Sequence, residues 1–318
     1  MKKVIRFENV SKKYDDGTFA VKNFDLHIKE GELLVLIGPS GSGKTTTLKM
    51  INRLIPLTEG YIKIKDKMIS DYDIHELRWD IGYVLQQIAL FPHMTIEENI
   101  AVVPEMKKWE QKKIDHRIDE LLNMVGLEPK TYRKRLPHEL SGGQQQRIGV
   151  ARALAANPPI ILMDEPFSAL DPLSREKLQD DLIELQKNIK KTIVFVTHDM
   201  NEALKLGDRI CLMRKGEVVQ TGTPEELIQQ PVNEFVREFV GIDQGNRTNV
   251  DVREAIQPLA ADELNNLPVI PSTVSINEIL SLLSEHEQLA VEEMDEIIGT
   301  IDRQGMIMIL SRQTEGMK

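Results

Sequence analysis

Three short runs, residues 33–37, 160–163 and 193–196, are apolar at every position, with no polar residue alternating between them. A strand with one wet face alternates, whereas a strand covered on both faces does not, so these runs predict buried strands of a parallel sheet. Across residues 1–241 such runs alternate with helical patterns, which predicts an α/β layered domain with a largely parallel sheet. Each run ends on polar residues of a specific kind, and ligands of open α/β sheets bind just past the carboxyl ends of the strands. Beyond residue 241 the pattern changes. Ile276, Ile279, Leu280 and Leu283 fall at i, i+3, i+4 and i+7, one face of a helix, with Ser275 and Glu278 spaced as a capping box at its start. Residues 289–291 and 297–301 predict a β-hairpin around an acidic turn. The expected organisation is a large domain over 1–241, a linker over 242–264 and a small α+β unit over 265–318.

Composition narrows this picture. The hydrophobic fraction of 41% in 318 residues suits a folded globular chain. Lys and Arg number 40 against 50 Asp and Glu, net charge -10, so no nucleic-acid partner held by a broad basic patch is expected. Residues 242–318 hold 14 acids and 5 bases, which places most of the imbalance in the tail. The one cysteine, Cys211, lies in an apolar stretch and reads as a buried thiol in a reducing compartment. No segment approaches the roughly 18 apolar residues that span a bilayer, so a cytoplasmic chain that meets a membrane only through a partner is expected.

The chemistry sits where the apolar runs end. Residues 33–37 lead into GPSGSGKTT, residues 38–46, which satisfies the G-x-x-x-x-G-K-[ST] pattern between a strand and a helix. Glycines at 38, 41 and 43 let successive backbone N–H groups turn toward phosphate oxygens, with Ser40, Ser42 and Thr46 in the same loop and helix start. Lys44 is expected to reach the β- and γ-phosphates and Thr45 to offer its hydroxyl to Mg²⁺, with ATP as the nucleotide. In IILMDEP, residues 160–166, Asp164 stands at a strand end as a metal carboxylate. Glu165, on the other face, is the candidate base for the attacking water. The third run ends at His198, placed to donate to a γ-phosphate, and Asp199 and Glu202 follow at capping-box spacing. The other histidines, 27, 75, 93, 116, 138 and 286, show no metal-ligand spacing.

LSGGQQQR, residues 140–147, completes a pattern that resembles the ATPase subunits of ATP-binding cassette (ABC) transporters. The order of phosphate loop, glutamine loop, LSGGQ signature, DE strand, SALD and histidine covers residues 1–241. The resemblance implies a P-loop NTPase fold with a helical subdomain and a homodimer in which Ser141, Gly142 and Gly143 of one subunit close over the nucleotide of the other. A helix opening at those residues would aim its positive end at a γ-phosphate. The resemblance also implies that Tyr14 stacks on adenine, that Gln86, with the adjacent Gln87 as the alternative, senses metal and attacking water, and that Asp171 of SALD contacts the opposite subunit. Residues 87–104, with Phe91 and Met94, correspond to the groove that receives a membrane permease. KMINRLI and GYVLQQIALFPHMTIEENIAVVP resemble most the osmoprotectant importers for glycine betaine, carnitine and choline, which work with an extracytoplasmic solute-binding protein at the cytoplasmic face of bacterial membranes. LAVEEMDEIIGTID resembles part of a CBS unit. One such unit cannot form an intrachain pair, so pairing between subunits or a degraded regulatory role is expected.

Two other classes fit less well. DNA-repair ATPases of this superfamily insert a long coiled coil between phosphate loop and signature, but here about 95 residues without sustained heptads separate Lys44 from Ser141. Translation factors of the superfamily carry two cassettes, and this chain has one. A purely nucleotide-sensing role leaves Glu165 and His198 without a purpose. An importer for another small solute remains the alternative within the transporter reading.

Overall fold

The computed structural model describes residues 3–86, 89–168, 170–241, 256–257, 267–272, 274, 279, 282–284, 286–293 and 296–306. The chain divides into two compact units, Met1–Val236 and Arg237–Lys318. In the first unit the strands are β1 (Lys3–Lys13), β2 (Phe19–Lys29), β3 (Leu33–Ile37), β4 (Glu59–Ile64), β5 (Lys67–Met68), β6 (Ile81–Val84), β7 (Ile160–Asp164), β8 (Thr192–Val196), β9 (Arg209–Arg214) and β10 (Glu217–Gly222). A six-stranded sheet has the order β10-β9-β3-β8-β7-β6. Its pairs from β9 to β6 are parallel, and β10 closes the edge antiparallel.

The three all-apolar runs lie in β3, β7 and β8, which are adjacent in this sheet and buried at every residue. Their alternate residues face two different layers. Leu34, Leu36, Ile160, Leu162, Val194 and Val196 share one core with Leu48, Met50 and Ile51 of the helix Lys44–Ile51. Burying each such side chain contributes about 1.5–3 kcal/mol, which fixes the strand ends that carry the polar residues.

A second sheet, β2-β1-β4-β5, is antiparallel and was not anticipated by the largely parallel expectation. The cause lies in β1, where register shifts against β2 fall between Lys3 and Ile5, Phe7 and Val10, and Val10 and Lys12. Each bulge resets the inward-facing position, so the period-two signal is lost although Val4, Ile5, Phe7 and Val10 are buried. Phe7 and Phe24 meet edge to face at 5.1 Å across this pair.

Between β6 and β7 the chain is helical: Ile96–Met106, Gln111–Met124, Pro129–Tyr132 and Gly142–Leu154. Ile114, Ile118, Leu121 and Leu122 form the buried stripe of the second of these. Arg133 joins two of the helices through Glu97 at 2.7 Å, Asp115 at 2.9 Å and Asp119 at 3.0 Å.

In the second unit β11 (Val269–Pro271), β12 (Gln288–Glu293) and β13 (Glu296–Asp302) form a sheet. β12 and β13 are the expected antiparallel hairpin, with Leu289 opposite Ile301. Ile270, Ile279, Leu283, Leu289, Val291, Ile301 and Met306 build its core. The expected cap at Ser275 and Glu278 and the stretch 242–249 lie outside the described residues. No helix among the described residues is long and apolar enough to cross a membrane.

Candidate active site

The carboxyl end of β3 opens into residues 38–43, where the backbone at Gly38 and Gly43 leaves no room for a side chain. Gly38 has φ 152°, and a β-carbon on it would lie 2.1 Å from the Met213 carbonyl oxygen. Gly43, which caps the helix Lys44–Ile51, has φ 98°, and a β-carbon would lie 2.3 Å from the Ala20 oxygen. Gly41 has φ 76° and open space around it. Lys44 is 6% exposed, and its Nζ donates to the carbonyls of Gly38 at 2.8 Å and Pro39 at 3.1 Å. Burial lowers its pKa, opposed by the nearby charges of Glu165 and Asp164. The Ser42 hydroxyl is buried without a hydrogen-bond partner, while Ser40 is exposed and Thr46 half-buried on the first helical turn.

The end of β7 faces this loop. Thr45 Oγ1 donates to Asp164 Oδ1 at 2.8 Å, and Asp164 is 3% exposed. Tyr83 on β6 lies with its hydroxyl 3.4 Å from Asp164 Oδ2, and burial, then the Asp164 charge, pushes its pKa up. Sequence reading missed Tyr83, because only the pairing of β6 with β7 brings it beside Asp164. Glu165 turns away from this pair through a left-handed φ of 43°, held by its N–H on the Val196 carbonyl at 3.0 Å. A non-glycine residue in that region stores strain that surrounding structure must sustain, as at many functional turns. Its Oε2 lies 3.3 Å from Gln86 Nε2 and 3.1 Å from His198 Nδ1. Gln86 and His198, which follow two other strands, therefore converge on the Glu165 carboxylate.

Asp199 caps the helix Met200–Leu206 by accepting from the N–H groups of Asn201 and Glu202. The expected reciprocal half of that capping box is absent: Glu202 turns inward and accepts from Thr197 Oγ1 instead. Ser141 does form a complete capping box with Gln144 on the helix Gly142–Leu154. A β-carbon on Gly142 would meet nothing within 4 Å, and one on Gly143 would approach only Ser174 at 3.8 Å. Among the described residues no hydrogen bond joins Ser141, Gly142 or Gly143 to residues 38–46. Asp171 caps the helix Pro172–Ile189 by accepting from the Ser174 N–H at 3.0 Å, and those hydrogen bonds to Ser174 hold its pKa down.

The ABC transporter family profile matches residues 21–168. The glycine betaine/carnitine/choline transport ATP-binding protein of Bacillus subtilis is 50% identical over 304 residues, spanning 96% of this chain and 77% of that protein. The chain belongs to the ABC transporter ATP-binding proteins. The osmoprotectant import ATP-binding protein of Salmonella typhimurium is 47% identical over 299 residues, 92% of this chain and 76% of that protein. Among solved structures, a dimeric ATP-binding cassette in a post-hydrolysis state with ADP and Pi matches with TM-score 0.62 and 41% identity, covering 69% of this chain and 98% of that one. A subunit of an ABC transporter complex from Clostridium perfringens matches with TM-score 0.67 and 29% identity over 76% of this chain and 96% of its own.

Two further regions of this ABC ATPase bear on the site. Tyr14 follows β1 and is 44% exposed, with Lys12 Nζ 5.2 Å from its ring centre. On the helical side, Tyr83, Leu85, Phe91, Val103, Arg152 and Pro158 are among the residues lining an open cleft of about 450 Å³. Phe91 is 48% and Met94 38% exposed. Gln87 lies outside the described residues. Asn99, also not foreseen, is fully buried and organises this loop: its Nδ2 donates to the carbonyls of Phe91, Met94 and Thr95, and its Oδ1 accepts from the Phe91 N–H.

Proposed function

We propose that this chain binds and hydrolyses ATP to energise uptake of quaternary-amine osmoprotectants, glycine betaine, carnitine or choline, through a membrane permease. The convergence of Gln86 and His198 on Glu165, beside a phosphate loop and a separate Thr45–Asp164 pair, carries the hydrolytic part. The names of the similar proteins support the solute class, and an extracytoplasmic solute-binding protein would select the amine.

The loop suits phosphate. Its buried, unpartnered Ser42 hydroxyl and the Lys44 ammonium are donors that the chain itself uses only against loop carbonyls or not at all. Lys44 would exchange those carbonyls for β- and γ-phosphate oxygens while Tyr14 stacks on the adenine. Thr45, Asp164 and Gln86 supply oxygen donors of the kind Mg²⁺ prefers, one carboxylate beside substrate phosphates. Bound there, Mg²⁺ would neutralise charge building on the phosphates. Glu165 Oε2 accepts the proton of the attacking water, Gln86 orients that water, and His198 donates to the γ-phosphate.

The bare N-terminus at Ser141, Gly142 and Gly143 serves a second copy. Among the described residues nothing crowds a side chain at either glycine, and backbone N–H groups left uncovered at a helix start suit a phosphate. The site is thus composite, two per homodimer, with Asp171 at the dimer contact. The cleft at Phe91 receives the permease, and Arg152 of the signature helix lines it and donates to the Ala89 carbonyl at 2.7 Å, so one rigid helix spans permease groove and nucleotide lid. The chain would then sit at the cytoplasmic face of the membrane. Residues 265–318, after a linker over 242–264, are read as one CBS-like unit appended to the 1–241 domain.

Glu165→Gln tests the chemistry: ATP affinity is retained within about threefold and turnover falls by about 10²-fold or more. Turnover near wild type removes Glu165 from the role of base. The solute class is tested by purifying the chain with its permease and measuring ATPase stimulation by each amine. Stimulation by none of them excludes it.

A further inference from the structure

We propose that Glu202 is a positioning residue for hydrolysis, its carboxylate locking the strand end that carries His198 to the helix that begins at Asp171. This rests on the reading of His198 as the γ-phosphate donor.

The geometry is a two-ended clamp. Glu202 Oε2 accepts from Thr197 Oγ1 at 2.6 Å, and Thr197 is the residue before His198. Glu202 Oε1 accepts from Gln179 Nε2 at 3.3 Å, and Gln179 lies on the helix Pro172–Ile189 capped by Asp171. Thr197 is itself a junction, since its N–H donates to the Leu36 carbonyl of β3 at 3.2 Å and its Oγ1 accepts from the Asp199 N–H at 3.0 Å. One turn before Gln179, Arg175 Nη2 donates to the Leu170 carbonyl in the loop 168–171 at 3.3 Å. Its Nε, buried without a hydrogen bond, stands 3.9 Å from Glu202 Oε1, and its Nη1 stands 3.9 Å from Asp199 Oδ2. Glu202 therefore reaches the histidine strand end, the helix that carries Gln179 and the Arg175 cation that grips the Leu170 carbonyl.

The placement is costly, which is the argument that it serves more than packing. Glu202 is 6% exposed, and burial raises its pKa while the Thr197 hydrogen bond opposes that shift. An apolar side chain would fill the space without desolvating a carboxylate. Its position also favours a different bond. Asp199 already caps the helix, and an acid three residues on normally returns to the cap N–H. Glu202 gives that bond up, and Thr197 Oγ1 takes the Asp199 N–H instead. What is gained is a fixed direction for the His198 backbone, coupled to the loop that a second copy would press against.

The test is steady-state ATPase kinetics with ATP affinity, on Glu202→Ala, Glu202→Gln, His198→Ala and the double variant. With Glu202→Ala, kcat falls about tenfold to a hundredfold, the scale of a small misplacement of a catalytic group, while KM and ATP affinity stay within about twofold because residues 38–45 are untouched. Glu202→Gln recovers most of the rate, since its amide oxygen still accepts from Thr197 and the Gln179 amide can turn to match. The double variant is no slower than His198→Ala alone, because both act through one group. Should Glu202→Ala fail to fold, Thr197→Val must show the same kcat loss at unchanged ATP affinity. A Glu202→Ala rate near wild type, a Gln variant no better than Ala, or multiplicative losses in the double variant overturns the proposal. If His198→Ala itself keeps the wild-type rate, the reading of the site fails and this inference with it; if His198→Ala is slow and Glu202→Ala is not, only this inference fails.

Discussion

Gly43 shows how one residue type serves different ends within a single loop. Its φ of 98° and the 2.3 Å approach of the Ala20 carbonyl to a would-be β-carbon leave room for nothing but hydrogen. Gly43→Ala is expected to lower stability by about 2–4 kcal/mol in thermal or urea unfolding, from backbone strain and overlap together. Gly41→Ala, with φ 76° and no neighbour within 4 Å, should lose only about 1–2 kcal/mol. The spacing of the glycines was legible in the sequence, but which of them is demanded by the fold was not, since that depends on Ala20 and Met213, distant in the chain. Cys211 was legible as a buried thiol, and it is fully buried on β9, with its pKa pushed up to about 11 by desolvation. The folded thiol should resist alkylation at pH 8 and react rapidly in denaturant. Between pH 9 and about 11 the unfolded chain loses a proton that the folded chain keeps, so this residue makes stability fall as pH rises through that window. Rapid labelling of the folded chain would contradict its burial.

At the scale of elements, one guanidinium adds a polar tie to the apolar packing of the helical region. Arg133 holds Glu97 on one helix and Asp115 and Asp119 on the next, and it is only 22% exposed. Arg133→Met leaves Asp115 and Asp119 without this cation and Glu97 with Lys134 alone, and is expected to cost about 1–3 kcal/mol in urea unfolding; an unchanged midpoint would show the cluster to be inert. Asn99→Ala strips four hydrogen bonds from the loop that carries Phe91 and Met94. It should weaken stimulation of the ATPase by the permease more than the basal rate. The strands that place the chemistry were readable because β3, β7 and β8 are covered on both faces, so residues 33–37, 160–163 and 193–196 within them are apolar without alternation. The antiparallel sheet was not, because bulges in β1 scramble the alternation that marks a strand. Tyr83 and Asn99 escaped for a related reason: their partners are a neighbouring strand's carboxylate and loop carbonyls, neither of which a local pattern reveals.

At the scale of the molecule, the phosphate loop and the signature belong to one polypeptide yet share no hydrogen bond among the described residues. Two copies arranged so that each signature meets the other's phosphate loop would resolve this, and mixed dimers offer a check. Ser141→Arg in one copy should silence the site whose phosphate loop lies in the other, so dimers with one such copy keep about half the wild-type rate, if the two sites fire independently. The most direct measurement is sedimentation of the Glu165→Gln variant with saturating ATP and Mg²⁺. Conversion from monomer to dimer, reversed when ATP is removed, is the expected result; a variant that binds ATP and stays monomeric would rule out the composite site.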